Sequence, residues 1–158
     1  MNKIDDKKIK STIEEMLRLM SVNFDSIEFT EDESMASSKF MIKTADSSLL
    51  IGIRGANLQA LNHVVKKIVS SDEEEDSQRF FIDVNGYQER LEEELRNKAR
   101  VMSERARSFK VDIELEPMSS YERMVVHSSL QDLPDIKTES RGVGRERRVV
   151  IKYVEKGE

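Results

Sequence analysis

Residues 87–109, YQERLEEELRNKARVMSERARSF, carry one narrow apolar stripe of Leu91, Leu95, Ala99, Met102 and Ala106 in a field of Glu and Arg. Glu, Arg, Leu and Ala are strong helix formers, and apolar residues three or four apart share one helical face. The stretch is expected as a single long helix. It divides the remaining apolar residues into a set before it and a set after it. A chain of 158 residues split in this way has room for two small modules and none for a large enzyme scaffold.

Apolar residues make up 37% of the chain and charged residues 36%, a balance that implies long solvated helix faces over modest cores. With no cysteine, disulfide frameworks, thiolate nucleophiles and Cys-rich zinc sites are excluded. The first ten residues are mostly charged, and no run approaches the roughly 18 apolar residues of a membrane span, so a soluble, cytoplasmic protein is expected. The net charge of −5 argues against coating nucleic acid by bulk electrostatics, since phosphate neutralisation rewards clustered Lys and Arg. A nucleic-acid site on this chain has to be local. The negative charge sits in runs, Glu31-Asp32-Glu33 and Asp72-Glu73-Glu74-Glu75-Asp76, whereas Arg141, Arg145, Arg147 and Arg148 crowd the C-terminal region.

Apolar residues at helical spacing from Ile4 to Met20 predict a first helix over 3–20. Residues 26–30 and 39–44 have the β-branched and apolar content of strands, and Asp46-Ser47-Ser48 is a helix start. Leu49-Leu50-Ile51 forms a brief turn of helix that Gly52-Ile53-Arg54-Gly55 interrupts. A helix over 57–69 follows, with Leu58, Leu61, Val65, Ile68 and Val69 facing inward. Residues 79–84 read as a strand ended by Asn85-Gly86. Beyond the long helix, 111–115 reads as a strand broken by Pro117, and Ser119 to Glu122 has capping-box spacing for a helix that stops near 132–134. Two last strands, 135–140 and 147–154, are joined through Gly142-Val143-Gly144.

A Gly-x-x-Gly loop between helices lets backbone N–H groups approach a phosphate at a helix N-terminus, and Arg54 adds a charged donor. The motif alone serves equally as a tight interhelical turn. In Arg123-Met124-Val125-Val126-His127 the spacing of four puts Arg and His one turn apart on one face. Arginine binds phosphate through two parallel hydrogen bonds, and histidine donates to it or stacks on a base. Arg145, Arg147 and Arg148 either continue a phosphate-tracking edge with Arg123 or are charges on a solvated hairpin edge.

The order helix, strand, strand, helix, loop, helix, strand over residues 3–84 resembles a KH domain of the prokaryotic arrangement. Gly52 and Gly55 stand at the clamp glycines, Ile53 and Arg54 at the variable pair, and Leu50, Ile51 and Leu58 at the groove. Ile53 stands where a basic residue often does, so one phosphate contact fewer and weaker binding are expected. Residues 115–127, LEPMSSYERMVVH, closely resemble the start of the R-3-H domain of the bacterial Jag family, whose members are also called KhpB, EloR or SpoIIIJ-associated. The match continues upstream in 50–61 and 83–90 and downstream in 138–142 and 147–151.

The resemblance implies an α+β fold of two small domains. The first is a KH domain over 1–84; a long helix over 86–109 joins it to the second, an R-3-H domain over 85–158 with a small three-stranded sheet. It implies single-stranded RNA binding by both, with Arg123 and His127 as the named pair. Single-stranded DNA stays open as a ligand. It further implies a KH-protein partner, KhpA, or a homodimer, an indirect association with the membrane-protein insertase, and a link to cell elongation or division. No cofactor, metal or catalytic residue is implied. Many members carry a separate N-terminal Jag-N domain and linker, which these residues, opening almost at the first KH helix, are not expected to include. An enzyme is disfavoured because His63 and His127 are the only histidines and no P-loop or metal-ligand spacing occurs. A protein-interaction adaptor, in which the KH domain mainly dimerises or binds a partner protein, is the alternative.

Overall fold

The computed structural model describes residues 6–32, 37–70 and 79–155, so the start of the first predicted helix, Glu33 and the acidic run 72–76 lie outside the described residues. Two compact units divide the chain between Gln88 and Glu89.

The first unit runs α1 (Asp6–Leu19), β1 (Ser26–Asp32), β2 (Ser37–Lys43), α2 (Ser47–Ile51), a 3-10 turn (Ile53–Gly55), α3 (Ala56–Val69) and β3 (Arg79–Val84), the order expected of the KH arrangement. β1 and β2 pair antiparallel from Ser26↔Lys43 to Asp32↔Ser37. β3 joins the free side of β2 in parallel, from Ser37↔Arg79 to Ile42↔Val84. Parallel neighbours require a crossover, and here it consists of α2, the glycine turn and α3. Ile9, Ile13 and Leu17 of α1 and Leu58, Leu61, Val65 and Val69 of α3 pack on Phe40, Ile42, Phe80, Ile82 and Val84 of the sheet. Asn62 fastens the crossover: its side-chain amide donates to the Ile82 carbonyl (2.9 Å) and accepts from the Ile82 N–H (2.7 Å).

A polar knot anchors the start of α2. The Thr44 hydroxyl donates to the Asn23 carbonyl and accepts from the Asp46 N–H, while the Asn85 amide exchanges two hydrogen bonds with the Thr44 backbone. Asp46 does precede α2, but its carboxylate accepts from the Asn23 N–H rather than capping the helix. Two expectations need correction. Ile68 is 54% exposed because the buried stripe of α3 ends in Val65 and Val69, and Ile68 falls on its flank beside exposed Val64. Met20 lies beyond the end of α1 and is exposed, since Ser21 has a positive φ and the Val22 N–H turns back to the Leu17 carbonyl.

Tyr87 and Gln88 open α4 (Tyr87–Phe109), and Asp83 at the end of β3 accepts from the Gln88 N–H (3.0 Å), satisfying a donor that the helix leaves open. The second unit takes the rest of α4, then β4 (Ile113–Glu114), α5 (Ser120–Leu130), β5 (Ile136–Arg141), a 3-10 turn (Gly144–Glu146) and β6 (Arg148–Tyr153). Its sheet has the order β4-β6-β5 with both pairings antiparallel. Ala99 and Ala106 of α4, Val126 and Leu130 of α5, and Ile136, Val149 and Ile151 of the sheet form its core. Ser103, absent from the predicted stripe, is buried between the two alanines and donates to the Arg100 carbonyl.

The capping box forms as its spacing predicts: Glu122 N–H donates to Ser119 Oγ (3.2 Å) and Ser119 N–H to Glu122 Oε2 (2.6 Å). The strand expected over 111–115 shrinks to two residues. Lys110 takes a positive φ and the Val111 N–H returns to the Ala106 carbonyl, so Val111 completes the exit of α4 instead of a ladder. Arg147, expected in the last strand, gives its N–H to the Gly144 carbonyl and belongs to the turn.

Candidate nucleic-acid interface

The glycine loop is shaped by backbone requirements. Gly52 has φ 72° and ψ −173°, a combination open essentially to glycine alone. A Cβ there would stand 2.5 Å from Cγ of Asn57, whose amide donates to the Leu49 carbonyl across the loop. Gly55 has φ 77°, and its Cβ would meet the Tyr87 ring at 3.1 Å. Arg54 between them is left-handed as well, with φ 53°. The result turns the two variable side chains outward: Ile53 is 87% exposed, and Arg54 is exposed without a side-chain partner among the described residues. α3 begins directly behind them, so its N-terminal partial charge lies beside the loop. The expected groove residues divide otherwise: Leu50 and Leu58 are buried in the core, Ile51 is half-buried, and Leu49 and Ile53 are the apolar side chains left in solvent.

On α5 the structure brings Arg123 and His127 to one face, each already held by its own unit. The Arg123 guanidinium donates to the Met118 carbonyl (2.9 Å) and the Ser120 hydroxyl (3.2 Å). His127 lies against β5, Nδ1 2.6 Å from the Thr138 hydroxyl and Nε2 2.9 Å from that of Ser140. A neutral imidazole donates from one nitrogen and accepts at the other, and a hydroxyl can satisfy either role. Partial burial, and then the nearby Arg123 cation, hold the His127 pKa below its ordinary value. The ring is therefore neutral near pH 7, ties α5 to β5, and carries no charge for a phosphate.

The C-terminal arginines separate into different roles. Arg148 pairs with Glu146 (3.3 Å) and Glu114 (3.8 Å). Arg147 donates to the Gly142 carbonyl (2.9 Å), clasping the turn, and its own carbonyl accepts from the Met118 N–H. Met118 is thus a shared support, bonded through its N–H to Arg147 and through its carbonyl to Arg123. Arg145 is exposed, with no partner among the described residues. Arg141 and Lys152 both turn to Glu139, whose carboxyl is held below its ordinary range chiefly by the Lys152 hydrogen bond. Sequence reasoning missed Thr138 and Ser140 as the partners of His127.

Comparison with known proteins finds relatives whose similarity reaches both units. The R-3-H domain family matches residues 88–153. The RNA-binding protein KhpB of Clostridium symbiosum is 32% identical over 149 residues, which cover 94% of this chain and 65% of that relative. These 149 residues reach well beyond the R-3-H match and into the first unit. Over nearly its whole length the chain is thus similar to proteins named KhpB. A second relative, the RNA-binding protein KhpB of Bacillus subtilis (strain 168), is 30% identical over 126 residues, covering 78% of this chain and 60% of its own length. The chain thus spans less than two thirds of the length of the curated relatives it matches. No helix among the described residues is long and apolar enough to cross a membrane.

Proposed function

We propose that this chain binds single-stranded RNA, without turnover, through the glycine loop of its KH unit and the Arg123 face of its R-3-H unit. The observation that carries the reading is the loop itself. Gly52 and Gly55 occupy positive φ, Ile53 and Arg54 project into solvent, and α3 starts immediately behind them. That combination lets backbone and guanidinium donors meet a phosphate at a helix N-terminus. On the second unit Arg123 is held partly buried by Met118 and Ser120, with Arg147 sharing its support and Arg145, two positions before Arg147, exposed without a partner among the described residues. His127 serves this site by fixing β5 against α5 and by presenting its ring. Arg148, paired with two carboxylates, contributes least. The relatives' printed name, RNA-binding protein, supports RNA as the ligand. The proposed role is a cytoplasmic one in post-transcriptional regulation, tied to cell elongation, division or membrane-protein insertion, as the family resemblance implies.

The test is fluorescence anisotropy of short mixed-sequence single-stranded RNA across a salt series. Wild type is compared with folded Gly52→Asp/Gly55→Asp and Arg123→Ala/His127→Ala chains. Loss of binding in both variants is expected; absence of wild-type binding at low salt overturns the reading.

One observation favours a second role for the KH unit. Val64 and Ile68 are exposed one turn apart on α3, an apolar pair suited to a protein surface, whether a KH partner of the KhpA kind or a second copy. If Val64→Lys/Ile68→Lys leaves mass and RNA affinity unchanged in solution, and no partner is lost, that role is excluded.

A further inference from the structure

Between α5 and β5 the second unit has an open hollow of about 510 Å³, lined by Met124, His127, Gln131, Ile136, Lys137 and Thr138 among others. Its size lies within the roughly 300–1,000 Å³ usual for small-molecule sites. Its walls are chemically distinct. Met124 is 53% exposed although it stands next to Arg123, while Ile136 belongs to the core and provides an apolar floor. A thioether is polarisable and makes favourable contact with aromatic rings. Gln131 and Lys137 at the rim are exposed, with no side-chain partner among the described residues, so an amide donor, an amide acceptor and an ammonium group stand open. The inner polar groups, by contrast, are spent, since Thr138 is bonded to the His127 ring.

We propose, resting on the RNA-binding reading above, that this hollow receives one unstacked base of the strand whose phosphate Arg123 holds. Met124 lies against the face of the base and Gln131 and Lys137 meet its edge. Three features of the site agree with that occupant. Arg123 immediately precedes Met124 and lies one helical turn, ~5.4 Å along the axis, before His127, and both of those residues line the hollow. The rim is uncharged or positive, complementary to a nucleotide: Gln131, Lys137 and Ser128 line it and no carboxylate does. Recognition of single strands works by stacking splayed bases on side chains and bonding their edges. The Gln131 amide can pair with the N6/N7 edge of adenine and a purine presents the larger face to Met124, so the hollow prefers adenine to uracil.

The experiment uses the full chain with three probes: a short oligoadenylate, an oligouridylate and an abasic ribose-phosphate oligomer of the same length. Met124→Ala and Gln131→Ala are expected to weaken oligoadenylate binding about fivefold or more, the lower range for one lost base contact. The abasic oligomer is expected to bind all four proteins alike, and the log–log salt slope to be unchanged. Met124→Leu, which keeps the volume and apolar surface, is expected to retain most of the affinity and guards against a folding artefact. Equal losses on adenylate and abasic probes, or no loss on any, overturn the hollow while leaving RNA binding standing. Failure of the wild type to bind any probe at low salt removes the RNA reading, and the hollow with it.

Discussion

The glycine loop of the first unit and the Arg123 face of the second are built in opposite ways. The loop is set by backbone geometry, with Gly52 and Gly55 at positive φ, and leaves Ile53 and Arg54 uncommitted in solvent. The α5 face is set by side chains that have already found partners: Arg123 on Met118 and Ser120, His127 on Thr138 and Ser140. A site of the first kind is sensitive to a single Cβ and tolerant at its exposed positions. A site of the second kind is ordered before the ligand arrives, so less side-chain freedom is lost on binding, and its weak points lie in the supports.

The largest effect is expected where the loop is forced to carry side chains. Gly52→Asp/Gly55→Asp puts two strained residues, each costing of order 1–3 kcal/mol, and two like charges where phosphate is to sit. RNA affinity should fall more than tenfold in the anisotropy titration; an unchanged titration by a folded variant breaks the comparison at its first term. Next in size is Asn62→Leu, which leaves the Ile82 N–H and carbonyl without their partner. A loss of about 1–3 kcal/mol is expected in urea melts followed on the first unit, with the second unit's transition unmoved. Arg123→Ala should lower RNA affinity severalfold and reduce the log–log salt slope by about one. Arg123→Lys should recover the charge but not the paired geometry.

A smaller effect sharpens the contrast through pH. His127 has a lowered pKa in the fold, so below about pH 6.5 the unfolded chain binds this proton more readily than the folded one. Stability of the second unit therefore declines as pH falls from the ordinary imidazole value through the lower folded one. His127→Gln should remove this component from melts recorded between pH 7.5 and 5; an identical pH profile in the variant removes His127 from the account. The smallest difference separates two arginines: Arg145→Ala should reduce the salt slope more than Arg148→Ala, because Arg148 is already neutralised by Glu114 and Glu146.

What the residues reveal in advance follows the range of the forces involved. Gly52 and Gly55 are legible because only glycine serves a loop of that shape, and Ser119 with Glu122 because a capping box is three residues long. Arg123 and His127 are placed on one face by helical period alone. Their supports are not legible. Thr138 and Ser140 lie 11 and 13 residues from His127, and hydroxyls in a strand give no sign of what they meet. Leu50 and Leu58 carry the pattern of a groove as well as of a core, and the closeness of the sheet beneath α3 decides for the core. Val111 looked like a strand residue because its neighbours alternate; the left-handed turn at Lys110 takes it for the helix instead.

The Asn62 bond to Ile82 has a consequence for the chain at high concentration. β3 is an outer strand of its sheet, and an outer strand with free N–H and carbonyl groups is a template on which another chain can grow a ladder. At Ile82 both groups are occupied by one amide from the same molecule. The opposite border, β1, carries exposed Glu28 and Glu31. In the second sheet β4 is two residues long and β5 carries exposed Lys137, Glu139 and Arg141. Copies of this chain at high concentration are thereby hindered from stitching into continuous sheets, and their encounters are left to side chains.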